Sequence, residues 1–242
     1  MSHHLSATER SRREANGLLR RARTASFATL SPDNGWPICT MVSIVCDTNG
    51  DCLFLLSNLS DHTRAIQARP QASVLVAEQS KDMDHTNLDR PRLTLRGSIE
   101  TISRDHPDHH RVRQRSLALN REATRYVDFR DFDFYRLVVA DGLYNAGFAQ
   151  ATRLQRSDLC LTLAPDFLRE ELSLVEEANT IKAESSNLHS LGAHPLSYAK
   201  VVALDPWGLD LEPGSNPGRI DFPKPMTSAD EIRQFLAAPG SS

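Results

Sequence analysis

The sequence predicts a mainly β protein: an antiparallel barrel with peripheral helices, followed by a small C-terminal α+β domain. Three observations lead there. Short apolar or alternating runs, bounded by turn residues, recur through the first two thirds of the chain. Helical stretches are inserted singly between them, not in the strict alternation of a doubly wound α/β fold, and no glycine-rich first turn is present. Near residue 156 the pattern changes to one amphipathic helix, a few short strands and a closing helix. The predicted domains are 1–155 and 156–242.

The elements follow in order. Residues 7–23 read as a helix, with Ala15, Leu18, Leu19 and Ala22 at helical spacing and Arg10, Arg12, Arg13, Arg20, Arg21 and Arg23 on what is expected to be a solvated face. Ser26 to Leu30 is a short strand, and Pro32-Asp33-Asn34-Gly35 is a turn by composition. Ile38 to Cys46 is apolar on both alternating faces, which predicts a strand covered on both sides. Asp47-Thr48-Asn49-Gly50-Asp51 is a hairpin turn leading back into Cys52 to Leu56. Ser60 to Arg69 is a short helix that Ser60 or Asp61 can cap, and Pro70 follows its end. Ala72 to Ala77 is a buried strand and 79–91 a polar loop.

Arg92 to Ile102 alternates, with Leu93, Leu95 and Ile99 on one face. Gly97 interrupts that face and predicts a bulge or bend. Residues 106–128 look helical. Phe132 to Ala140 and Leu143 to Phe148 read as two strands joined at Asp141-Gly142. In the second domain Leu168, Leu172, Val175 and Ala178 mark an amphipathic helix. Tyr198 to Leu204, Leu209 to Leu211 and Arg219 to Phe222 are short strands. Ser228-Ala229-Asp230-Glu231 is a capping box opening the last helix.

With 242 residues the chain can bury a core without disulfides or metal, and a net charge of −3 gives no global field toward nucleic acid. Cys39, Cys46, Cys52 and Cys160 form no CxxC pair and are expected to be free, buried thiols. No apolar run reaches the length of a membrane span, and the amino terminus lacks the apolar core of a signal peptide, so a cytoplasmic protein is expected.

The segment richest in chemistry is Leu56-Ser57-Asn58-Leu59-Ser60-Asp61-His62-Thr63-Arg64. A strand ends and a helix begins, exposing unpaired N–H groups and the positive end of a helix dipole. Ser57 and Thr63 offer hydroxyls, Arg64 a bidentate fork and His62 a further donor. This is the makeup of a phosphate pocket, and equally of a capped surface helix with a solvated arginine.

Several stretches resemble the flavin-binding split-barrel family, the pyridoxamine-phosphate-oxidase-like proteins, in their haem-utilisation branch. Ser57, Leu59-Ser60-Asp61-His62-Thr63-Arg64 and Pro70 are similar to that branch's strand end, helix start and following proline. Ala25 to Leu30, Gly35-Trp36-Pro37 and Met41-Val42-Ser43 resemble its opening hairpin, and Arg92 to Gly97 its long strand. Tyr126 to Phe132 and Ala146 to Ala151 resemble its barrel end. Leu204 to Leu211 and Arg219 to Pro223 are similar to its C-terminal module. The resemblance implies an antiparallel split barrel, a homodimer and FMN in the groove between subunits. Carried over, the phosphate meets Ser57, His62, Thr63 and Arg64, and the ring lies along Thr40, Met41, Val42 and Ser43. It implies an FMN-dependent oxidoreductase with a small-molecule substrate and no nucleic acid or membrane partner; no catalytic residue is identified.

Two departures bear on the alternatives. Lys182 to His189 lacks the Asn-x-Asp-His that the family's C-terminal module usually carries, and Tyr144-Asn145-Ala146-Gly147 replaces a more glycine-rich run. Some members bind haem through a histidine of that module. A haem-binding or haem-degrading protein is therefore the first alternative, with His189 or His194 as ligand, and a cofactor-free dimeric module the second. His106 and His110, four apart on a helix, lack a third metal ligand and read as surface residues, as does His85. No Ser/His/Asp set or P-loop is present.

Overall fold

The computed structural model describes residues 6–78, 90–147, 150–181, 199–212 and 218–237. Its contacts divide the chain into two compact units, residues 1–116 with 122–160, and residues 117–121 with 161–242.

The first unit is one eight-stranded antiparallel sheet, curled into a half-barrel, with helices against it. Helix α1 (Ala7–Arg21) precedes β1 (Thr24–Leu30), β2 (Pro37–Ser43), β3 (Val45–Cys46) and β4 (Cys52–Ser57). Helix α2 (Asp61–Ala68), β5 (Gln71–Ala77), β6 (Arg92–Ile102), α3 (His109–Leu119), β7 (Phe132–Asn145), β8 (Ala151–Gln155) and the one-turn α4 (Arg156–Leu159) follow. The strand order is β2-β1-β5-β6-β7-β4-β3, with β8 added to β7. Alternate residues of each strand face a common core containing Phe27, Val42, Phe54, Val74, Leu93, Leu95, Leu137 and Tyr144, with Ala15 and Leu19 of α1.

Four predicted features take a different form. The run 38–46 is two strands, β2 and β3, and the outer face of β2 is open in the single chain: Met41 is 79% exposed and Cys39 is exposed. Cys46, Cys52 and Cys160 are free and buried as expected. Arg20 is buried, its guanidinium bonded to Asn16 Oδ1 at 2.7 Å, so the arginines of α1 do not form one solvated face. Residues 106–128 hold only α3 and a 3-10 turn over Arg121–Arg125. Asp141-Gly142 is not a turn, because β7 runs through it paired with β6: Asp141 opposes Arg96 and receives both arms of its guanidinium at 2.8 Å. The bulge expected at Gly97 is present between Arg96 and Gly97, where a Cβ would lie 2.1 Å from the Val138 carbonyl oxygen.

The second unit packs α5 (Pro165–Ile181), β9 (Val201–Asp205), β10 (Gly208–Leu211), β11 (Arg219–Asp221) and α6 (Ala229–Ala237) around Phe167, Leu174, Leu204, Leu209, Phe222 and Ile232. Buried Arg219 joins Asp205, Asp210 and Asp221 across its three-stranded sheet. The predicted capping box is formed: Glu231 N–H donates to Ser228 Oγ at 3.2 Å and Ser228 N–H to Glu231 Oε2 at 3.3 Å.

The β3–β4 turn holds the barrel's buried charges. Asp47 N–H donates to the Asp51 carbonyl at 2.7 Å, and Gly50 takes φ 108°, with a would-be Cβ 2.3 Å from the Leu159 carbonyl oxygen. The Asp47 carboxylate accepts both arms of Arg111, at 2.7 and 3.0 Å, and pairs with Arg136 at 3.3 Å. Burial alone would raise the Asp47 carboxyl; the Arg111 hydrogen bonds and the charges of Arg111, Arg115 and Arg136 outweigh it and hold the group at about 2, against 3.8 ordinarily. A carboxylate depressed in the folded state stabilises fully above its unfolded value and loses that contribution as pH falls through the folded one. We expect Asp47 to account for about 2 kcal/mol of lost stability between about pH 4 and pH 2. Urea unfolding across that range checks it. Asp47→Asn should be less stable at pH 7 and show a shallower acid limb; an unchanged limb would disprove the assignment.

Candidate functional site at the amino end of α2

The strand β4 delivers Ser57 and Asn58 to the start of α2. The backbone turns there: Ser60 N–H donates to the Ser57 carbonyl at 3.1 Å, and Ser60 sits at the N-cap position. Its side chain makes no capping bond; the Thr63 and Arg64 N–H groups donate to its carbonyl at 3.0 and 3.1 Å, which leaves the Asp61 and His62 amides without the side-chain cap the sequence offered. An uncapped helix amino end carries partial positive charge and attracts anions.

Carboxylates already occupy its surroundings. Arg64 pairs with Asp61, and both are largely exposed. Ser57 Oγ donates to Asp131 Oδ2 at 2.7 Å, and Asn58 N–H to the Asp131 carbonyl at 2.6 Å. Asn58 Nδ2 donates to Asp133 Oδ2 at 2.9 Å, while Asn58 Oδ1 accepts from Tyr135 OH at 2.8 Å. These bonds place the segment before β7 beside Ser57–Leu59, and both segments present exposed apolar side chains, Leu59 and Phe129.

The predicted site residues distribute as follows. Thr63 is fully buried, and its hydroxyl has no hydrogen-bond partner. Thr40 and Val42 point to the inner side of β2, whereas Met41 and Ser43 are exposed on the outer side, so the four side chains do not share one face. The structure joins Thr40 to His62: Thr40 Oγ1 lies 3.3 Å from His62 Nδ1, and the imidazole stands edge-on to buried Phe27 at 6.0 Å. Burial pushes the His62 imidazole below its ordinary value, the nearby Asp61 carboxylate opposing this in part. Asp131 and Asp133 were not singled out from sequence as site residues; 74 and 75 residues separate them from Ser57 and Asn58, and only the pairing of β4 with β7 brings them in. His189 and His194, and His85, lie outside the described residues. Among the described residues no three His, Cys, Asp or Glu side chains are placed to hold a metal ion, and no helix is long and apolar enough to cross a membrane.

An unpaired buried hydroxyl costs about 1–3 kcal/mol, so Thr63→Val should raise stability by about 1 kcal/mol. Denaturant unfolding checks this; a drop in stability would mean that the hydroxyl has a partner, and a loss of ligand binding without a drop in stability would place it on a ligand.

Residues 7–158 match the family described as CREG, beta-barrel. The chain is 25% identical over 212 residues to the non-canonical, chloroplastic heme oxygenase HOZ of Arabidopsis thaliana, covering 84% of this chain and 64% of that protein, so it spans less than two thirds of its relative. A solved structure of a protein of unknown function from Agrobacterium tumefaciens str. C58 is 27% identical and superposes with a TM-score of 0.73 over 97% of this chain and 95% of that one. A heme binding protein from Mycobacterium smegmatis, 20% identical, shares the fold with a TM-score of 0.57 over 96% of each chain. A half-barrel of this topology, matched across the whole first unit, makes this chain a member of the CREG β-barrel family, the split-barrel class that includes the pyridoxamine-phosphate-oxidase-like proteins.

Proposed function

We propose that this chain is a haem-binding protein that takes part in haem breakdown and works as a homodimer. The observation that carries the reading is the balance of charge at the amino end of α2. Asp61 pairs with the exposed Arg64 guanidinium and faces His62, and Asp131 and Asp133 hold Ser57 and Asn58 at the strand end before it. A phosphate dianion placed on Ser57 would lie against the carboxylate that holds its hydroxyl at 2.7 Å, a like-charge contact that disfavours it. The Thr63 hydroxyl is inaccessible to it. Haem carries no phosphate and asks instead for apolar side chains and an imidazole, and Leu59 and Phe129 are exposed on the two segments that meet here. The Arabidopsis relative, a heme oxygenase, supports the same reading. When bound, haem supplies an iron centre that reacts with dioxygen; the chain's part is to hold the ring and limit access of water.

FMN-dependent oxidoreductase activity is the second reading, favoured by the uncapped amino end of α2 with Arg64 beside it. Binding there requires Arg64 to exchange Asp61 for phosphate, a small loss for a surface pair. Separate titrations with hemin and with FMN, followed by absorbance, decide between them. A stoichiometric Soret band without saturable flavin binding is expected. Saturable FMN binding that Arg64→Ala abolishes, with no Soret band, would replace the first reading by the second.

The outer face of the sheet supports the homodimer. Leu30, Trp36, Met41, Leu75 and Val138 are exposed there on β1, β5, β7 and on β2 with its preceding turn. A shallow groove of about 940 Å³ runs along this face past Ala28, Pro37, Ser73, Val138 and Ala140. A contiguous apolar face of this kind is rare on a monomer and suits a two-fold, self-complementary contact. Sedimentation velocity should give a dimer, and Val138→Asp a monomer with unchanged far-UV circular dichroism; a monomeric wild-type protein would rule the homodimer out.

A further inference from the structure

We infer that the cavity between α1 and the ends of β5, β6 and β7 is a second ligand site, and that it takes an amphipathic organic carboxylate. This site stands apart from the haem reading and does not depend on it. The cavity holds about 900 Å³, within the span of small-molecule pockets, roughly 300–1,000 Å³, and every described residue that lines it belongs to the first unit. It lies at the opposite end of β7 from the corner at α2. Ser57 pairs with Phe132 at the start of that strand, whereas Tyr144 lines the cavity near its finish.

One face of α1 supplies the long wall. Arg10, Glu14, Leu18 and Arg21 follow at steps of four, four and three residues, so they form a row about 16 Å long. The strand ends contribute small side chains, Ala77, Pro91 and Ala146, which leave a slot for a slender apolar body beside Leu18. Charge is divided along the row. Glu14 accepts a hydrogen bond from the buried Tyr144 hydroxyl at 3.1 Å. Burial, followed by the charges of Glu14 and Glu78, pushes that phenol up, so it remains a donor. Both carboxylates of the cavity therefore gather at Tyr144, and Arg21, Arg23 and Thr24 line the other end.

That end is prepared for an anion. Arg23 Nη1 donates to the Arg20 and Ala22 carbonyls at 2.8 and 2.9 Å, so it offsets the negative end of the α1 dipole. Arg21 is exposed, and Gly17 makes the space that its guanidinium fills: a Cβ at position 17 would lie 2.7 Å from Arg21 Nη1. Glycine inside a helix is less favourable than alanine; here the missing side chain lets the guanidinium fold back over the preceding turn. Three guanidiniums, Arg10, Arg21 and Arg23, against two carboxylates, Glu14 and Glu78, leave one positive charge, which a singly charged head balances. A carboxylate at Arg21 and Arg23, with its apolar body along Leu18, meets each wall with its complement.

The test uses dansylaminoundecanoate, a fluorescent long-chain carboxylate, and its uncharged methyl ester, titrated into the full-length protein. Saturable binding of one acid per chain with blue-shifted emission is expected, and the ester should bind at least about 10-fold more weakly. Arg21→Ala should weaken the acid by about the same factor and leave the ester unchanged. Ala77→Phe fills the slot without removing a charge and should weaken both. Gly17→Ala should weaken the acid while its thermal midpoint stays at or above that of the wild type, which excludes unfolding as the cause. Arg10→Ala, at the far end of the row, should change affinity less than about 2-fold. Equal affinity for acid and ester, wild-type affinity in Arg21→Ala, or no saturable binding would overturn the site. Binding lost in Val138→Asp but kept in Ala77→Phe would place the probe on the outer face of the sheet and overturn it as well. The haem reading is untouched by any of these results.

Discussion

The first unit depends on one five-residue turn that buries two carboxylates. Asp47 and Asp51 bracket the β3–β4 hairpin and point their charges to different customers. Asp47 gathers Arg111 from α3 and Arg136 from β7. Asp51 takes both arms of Arg156, at 2.8 and 3.2 Å, and the Val139 N–H at 2.9 Å, and so ties α4 to the same hairpin. Neither carboxylate could be buried without these partners, since an unpaired charge there would cost several kcal/mol. Gly50 lets α4 approach closely enough for the second set, because any side chain at that position would strike the Leu159 carbonyl. The hairpin therefore acts as a clamp at one end of the sheet, and β4, which leaves it, carries Ser57 and Asn58 to a defined position beside β7.

That position explains the electrostatics of α2. Ser57 pairs with Phe132 in the β4–β7 ladder, so residues 131 and 133 necessarily flank the strand end, and both are aspartates. Their carboxylates take up Ser57 Oγ and Asn58 Nδ2. Donors that sequence order presents as a phosphate cradle are committed to the protein itself, and the register of one strand pair decides this.

Where the sequence was readable, the cause was local. Alternation placed β6 and its inward Leu93 and Leu95, composition placed the Asp47–Asp51 turn, and the Ser228/Glu231 spacing placed the start of α6. The misreadings had nonlocal causes. Asp141-Gly142 has the composition of a turn, yet Arg96 on the neighbouring strand holds Asp141 in the ladder and Leu95 packs close over Gly142. The polar run Ala151–Gln155 carries no strand signal, and becomes β8 because the free edge of β7 accepts it. Arg20 belonged by spacing to a charged face, but Asn16 one turn earlier satisfies it in the interior. The site was half legible for the same reason: His62, Thr63 and Arg64 stand together in the chain, while Asp131 reaches Ser57, and Thr40 reaches His62, only through the sheet.

An uncapped helix end attracts an anion, and the carboxylates of Asp61 and Asp131 on Arg64 and Ser57 oppose that attraction. The charge around α2 therefore selects little by itself. What the corner retains is shape and one oriented imidazole, His62: burial lowers its pKa, the Thr40 hydroxyl faces one nitrogen, and Phe27 stands against the ring. Asp61 works against the first of these, since its carboxylate favours the imidazolium, and would matter more were it not exposed and shared with Arg64. Arg64, which the motif offers as an anion ligand, is paired with that same Asp61 carboxylate, so an anion reaches it only by displacing Asp61.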